Sequence, residues 1–138
     1  MTACLLDAGP LVALFNPRDR FHDHFQHLIV QSAEPEQLHT TWPCVTEASH
    51  LLGPRHRVAL LQWIGAGAVQ VYPFESGDLL DMCDWILQYT QQPRTEMDLA
   101  DASLYWLARE TGVTRIFTVD MRDFSRYRLP DGRAFDIL

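Results

Sequence analysis

Four short apolar runs, separated by stretches with helical spacing, constrain this chain more than any other feature. ACLLD (3–7), LHTTW (38–42), AVQVYPF (68–74) and VTRIFTVD (113–120) read as strands, being short, apolar or β-branched, and bounded by turn residues. PLVALF follows the first run, with Pro10 suited to a first helical turn. Phe21, Phe25, Leu28 and Ile29 then repeat as a helical stripe that Pro35 closes. PCVTEASHLL (43–52), RVALLQWIGAG (57–67), residues 76–91 before Pro93, and residues 98–111 before Gly112 predict four more helices. The tail, DGRAFDIL, predicts a turn and a last short strand. Strands alternating with helices pack as a mostly parallel sheet of four to five strands with helices on both faces. With no repeat or linker, residues 1–138 read as one α/β domain.

Composition narrows the function. No run approaches the ~20 apolar residues of a membrane span, and Asp7 and Pro10 interrupt the first run early, so neither a membrane anchor nor a secretory signal is expected. A cytoplasmic protein is the expectation. Cys4, Cys44 and Cys83 lack CxxC spacing and read as buried apolar residues rather than as a disulfide framework or a zinc site. The net charge of −7 argues at first against a nucleic-acid partner. Yet all eleven basic residues are arginines, whose planar forks suit bidentate phosphate contact.

The acids explain part of that charge. In an open parallel sheet, ligands bind beyond the carboxyl ends of the strands, where the strand order reverses. Asp7 and Asp120 end the first and fourth predicted strands, while Glu47 and Asp101 fall in the first turns of two helices. Asp7 and Asp120 point toward one edge if those strands are neighbours, and helix starts at that same edge would add Glu47 and Asp101 to the pocket. Carboxylates gathered without a basic partner resist ionising together, and Mg2+ or Mn2+, which prefer oxygen ligands, remove that conflict. Each acid also has a structural alternative. Asp98 suits an N-cap and Asp101 the acidic member of a capping box; Asp7 and Asp120 suit turns; Glu47 suits an exposed helix face.

LLDAGPLVALF, TTWPCVTEASHLL, MDLADASLYWLARETGVTRIFTVDMRDF and RYRLPDGRAFDIL resemble, in order and spacing, the blocks of PIN-domain proteins, especially VapC-type toxins of prokaryotic toxin–antitoxin pairs. The resemblance implies a PIN-like three-layer α/β/α fold and a Mg2+- or Mn2+-dependent endoribonuclease leaving 5′-phosphate and 3′-hydroxyl ends. It implies that Asp7, Glu47, Asp101 and Asp120 hold the metal and carry catalysis, that Thr118 supports the fourth acid, and that a homodimer is neutralised by a small antitoxin protein. Asp98 lies outside the family pattern and is expected mainly to cap its helix, touching metal through water at most. Asp123, one helical turn beyond Asp120, is a substitute ligand. With the four acids set aside, fourteen acids face eleven arginines, and the remaining surface is near balance.

Other readings stay open. A PIN-like binding module with degenerate acids, or a DNA- or structure-specific nuclease of the same fold, fits the same blocks. A receiver-type domain needs a lysine, and this chain has none. Arg122 and Arg126, with Arg128 and Arg133, would grip the RNA backbone, contact an acidic group of the antitoxin, or form a solvated tail. His22, His24 and His27 in FHDHFQH are expected outside the buried face, on a solvated or antitoxin-facing helix rather than in a metal site. Trp63 and Trp85 are expected in the core or a dimer contact.

Overall fold

The computed structural model describes residues 2–91 and 95–138. Its strands are β1 (Ala3–Leu6), β2 (Gln37–Thr41), β3 (Val69–Tyr72), β4 (Arg115–Phe117) and β5 (Asp136–Ile137). Its helices are α1 (Ala8–Phe15), α2 (His22–Phe25), α3 (Trp42–Leu51), α4 (Pro54–Gly65), α5 (Asp78–Tyr89), α6 (Leu99–Thr111) and α7 (Met121–Arg126). The strands form one parallel sheet in the order β3-β2-β1-β4-β5. This is the expected PIN-like α/β/α arrangement.

The alternation of side chains along β1 builds both outer layers. Successive strand residues face opposite sides of a sheet. Leu5 enters one buried cluster with Met82 and Trp85 of α5, Leu104 and Leu107 of α6, and Phe124 of α7. Cys4 and Leu6 enter the other, with Leu11 of α1, Phe25 of α2 and Leu60 of α4. β1 therefore sits at the centre of the sheet, buried on both faces, as its uninterrupted apolar run requires. The chain leaves β1 toward β2 on one side and later returns beside it as β4. The reversal of strand order thus falls between β1 and β4, the place where such sheets bind ligands.

Several boundaries differ from the sequence reading. Trp42, expected as the last residue of a strand, begins α3, because Pro43 fixes a helical φ in the first turn. β3 stops at Tyr72, before Pro73, which has no N–H to extend the ladder. α4 begins at Pro54 rather than Arg57. α5 ends at Tyr89, and Pro93, expected to terminate that helix, lies outside the described residues. The expected helix over 21–29 divides into α2 and a π-helical turn, Gln26–Val30, closed by the Gln31 N–H bonding to the Gln26 carbonyl. The wider turn keeps Leu28 and Ile29 against the core.

The largest difference is at β4. The run 113–120 contributes only three residues to the sheet. Past Phe117 the chain bends away because the Thr118 hydroxyl takes up the Asp120 N–H and itself bonds to Asp7. Asp120 consequently caps α7, a helix that the apolar pattern does not signal. Cys4 and Cys44 are buried as expected, whereas Cys83 is exposed, because Met82 and Trp85 supply the buried face of α5. Trp85 is in the core, and Trp63 is half-buried against Phe15, with ring centroids 5.4 Å apart.

Candidate metal centre

The site begins with a helix cap at the end of β1. The Asp7 N–H still donates to the Phe117 carbonyl of β4, at 3.1 Å, so the sheet itself positions this residue. Its Oδ1 accepts from the Ala8 N–H at 2.8 Å, and its Oδ2 from the Thr118 hydroxyl at 2.7 Å. Both carboxylate oxygens are therefore aimed, and each keeps a lone pair. Gly9 lets α1 approach closely here: a Cβ at that position would lie 2.4 Å from Val119 Cγ2.

Asp101 enters from α6. Its backbone N–H donates to Asp98 Oδ1 at 2.8 Å, so Asp98 is the N-cap, as its spacing suggests. Its side chain is buried, and Oδ2 accepts from the Tyr127 hydroxyl at 2.7 Å. The third element is α7, where Asp120 Oδ1 accepts from the Asp123 N–H at 3.1 Å. Oxygens from Asp101, Asp120 and Asp123 lie within 4.8 Å of one another. Glu47 is the outermost acid, exposed on α3.

The electrostatics record the crowding. Burial, followed by the charges of Asp7 and Asp98, pushes the Asp101 carboxyl up to about 9. Burial also raises Asp7, to about 6, although the bonds from Thr118 and Ala8 pull the other way. Asp120 is raised mainly by burial, and Glu47 by burial and then by Asp98. Among the described residues no arginine or histidine pairs with Asp7, Glu47, Asp98, Asp101 or Asp120. Like charges ~5 Å apart repel by roughly 3 kcal/mol at an effective dielectric near 20. Hard oxygen donors, a close trio and an unmet demand for positive charge together fit Mg2+ or Mn2+.

Three expected roles change in detail. Thr118 donates its hydroxyl to the first acid, Asp7, and holds Asp120 only through that residue's backbone N–H. Asp123 is shared: it joins the trio and also holds Arg126 at 2.9 Å. Arg126 is therefore committed to Asp123 and to the Tyr89 carbonyl, at 3.3 Å, while Arg122 is exposed on α7. Arg128 bonds to the Ser125 and Tyr127 carbonyls, and Arg133 to Asp131 and the Gly112 carbonyl. Of the histidines, His24 and His27 are exposed, but His22 is half-buried with Nδ1 2.7 Å from the Ala13 carbonyl oxygen. Tyr127 has no sequence signal, since 26 residues separate it from the aspartate it contacts.

A five-stranded parallel sheet whose order reverses between β1 and β4, covered by helices, is a PIN-like fold as in VapC proteins. Among solved structures the chain matches VapC20 of Mycobacterium tuberculosis, a toxin that cleaves the sarcin-ricin loop, with a TM-score of 0.72 and 19% sequence identity. The match covers 83% of this chain and 87% of VapC20, and at that identity the likeness is one of fold. No protein-family model matches the chain, and no curated protein matches it significantly.

Proposed function

We propose that this chain is a Mg2+- or Mn2+-dependent endoribonuclease, the toxin of a VapBC-type pair, acting in the cytoplasm as a homodimer that a small antitoxin protein neutralises. The observation that carries the reading is the gathering of aspartates at the strand-order reversal, where only Asp123 has a basic partner among the described residues and Asp101 is held up to about 9. The shared fold with an RNA-cleaving toxin supports the substrate class. No helix among the described residues is long and apolar enough to cross a membrane.

In this reading Asp7, Asp101 and Asp120 hold the ion, with Glu47 at the rim and Asp123 in reserve. Bound Mg2+ or Mn2+ supplies Lewis acidity, polarising a phosphoryl oxygen and acidifying a water. The chain's own residues fix the geometry. Thr118 and the Ala8 N–H orient Asp7, Tyr127 orients Asp101, and the cap bond from Asp123 N–H orients Asp120. Water would add to phosphorus as the bond to the 3′ oxygen breaks, and the proton released from that water balances the one the 3′ oxygen takes up, leaving a 3′-hydroxyl and a 5′-phosphate. Arg122, exposed near Asp120, is placed for the RNA backbone, and Arg126 serves mainly to hold Asp123.

The test is calorimetric titration of Mn2+ into wild type, Asp101→Asn, Asp7→Asn and Asp98→Asn, followed by RNA cleavage assays. Saturable binding is expected in wild type and in Asp98→Asn, which keeps its helix cap. Binding and cleavage are expected to be lost in Asp101→Asn and Asp7→Asn. Folded wild-type protein that takes up no Mn2+ would identify a binding module with degenerate acids instead.

A further inference from the structure

Two of the acids, Glu47 and Asp98, also line a larger feature. A cavity of about 660 Å³ opens beside them, lined by Trp42, Glu47 and His50 of α3, Phe74 after β3, and Asp98 and Leu99 at the start of α6. Trp42 is 51% exposed and Leu99 45%. The groove is built in advance. Its two helical walls are joined beneath by the Thr41 and Ser103 hydroxyls, 2.6 Å apart, and Cys44 Sγ lies 3.8 Å from the Ala100 carbonyl. Phe74 is braced edge-on against Trp106, with ring centroids 5.8 Å apart.

We infer that this groove is a nucleobase subsite in which Trp42 stacks an unpaired base of the RNA strand adjoining the phosphate to be cut. The inference rests on the ribonuclease reading above. Two arguments favour a base as the occupant. The groove borders the acid centre, because Glu47 lines it and so does Asp98, which caps the helix carrying Asp101 and whose charge acts on Asp101 and Asp7, so a strand whose phosphate reaches the acids brings a neighbouring base within reach of Trp42. The same carboxylates repel phosphate but leave a neutral ring unopposed and accept hydrogen bonds from base amino groups. Unpaired bases splayed onto aromatic side chains are the common mode of single-stranded RNA recognition, and each stack contributes ~1–3 kcal/mol. Trp42 is thus a binding residue at the start of α3, fixed there by the Pro43 helix start that ends β2 at Thr41.

The experiment measures binding of short labelled oligoadenylate and of an abasic strand of equal length, in Ca2+ to slow cleavage, with Mn2+ calorimetry on the same preparations. Wild type is expected to prefer oligoadenylate. Trp42→Ala should weaken oligoadenylate binding roughly 5- to 150-fold, leave the abasic strand and Mn2+ affinity unchanged, and be largely rescued in Trp42→Phe. Equal oligoadenylate binding by wild type, Trp42→Ala and Trp42→Phe, with Mn2+ still bound, overturns the subsite but not the nuclease reading. A wild type that binds neither Mn2+ nor RNA overturns the nuclease reading and the subsite with it. A Trp42→Ala protein that changes its oligomeric state in sedimentation while keeping its preference for oligoadenylate assigns the groove to a protein contact and also overturns the subsite.

Discussion

At the scale of single residues, the centre depends on how each carboxylate is aimed as much as on its charge. Tyr127 is the clearest case. Its hydroxyl is buried, raised by burial and by Asp101, and spends its proton on Asp101 Oδ2. Groups that orient a metal ligand commonly contribute 10- to 100-fold in affinity. Tyr127→Phe keeps the ring packed against Tyr89 and Phe124 and removes only the donor. It is therefore expected to weaken Mn2+ binding about 10- to 100-fold with little change in unfolding midpoint. An unchanged Mn2+ isotherm would reduce the bond to packing. Asp7, Glu47, Asp101 and Asp120 were legible as acids expected near one sheet edge, and the Asp98 cap followed from its spacing. The Tyr127 bond was not legible, because nothing local marks a contact across the fold.

At the scale of elements, α6 and α7 each start on an aspartate cap. α6 is the longest, running from the Asp98 cap to Gly112, whose φ of 76° lets its N–H close on the Ala108 carbonyl. A side chain at that left-handed position costs about 1–2 kcal/mol. Gly112→Ala is expected to lower the unfolding free energy in urea by about that amount while leaving Mn2+ affinity within twofold, since Asp101 lies at the opposite end of the helix. A large loss of affinity would mean that α6 shifts as a rigid unit. Element types followed from periodicity except for α7, and β4 is shorter than its run. The run VTRIFTVD has strand composition throughout, and only the competing hydrogen bonds of Thr118 take its last residues out of the sheet. Once that happens, Asp120 is free to cap a short helix.

At the scale of the whole molecule, the centre sets charge against stability. The Asp101 carboxyl has an ordinary value of 3.8 and rises to about 9 in the folded chain. Its contribution to stability is therefore complete below about 3.8 and is lost as pH rises toward 9. Asp7 adds the same sign over a narrower window, from 3.8 to about 6. In calorimetric unfolding with chelator, the midpoint is expected to fall as pH is raised from 5 to 8.5. Saturating Mn2+ should restore it, because the ion binds the ionised, folded site. Asp101→Asn should flatten the metal-free slope and abolish the restoration; a wild-type midpoint that rises with pH in chelator would contradict the crowding of charge.

The sequence by itself determined the layers. Apolar runs too uniform to face water and helical stripes between them leave a parallel sheet covered on both sides, and strand-end acids in such a sheet must lie at one edge. Tertiary structure decided how that edge works. It gave Thr118 to Asp7, shared Asp123 with Arg126, placed Tyr127 on Asp101, and turned Trp42 from a strand end into the wall of a groove. The physical reason is range: periodicity and caps are set by neighbours within one or two turns of chain. The partner of a buried hydroxyl or carboxylate is set by whichever distant segment the packed core brings against it.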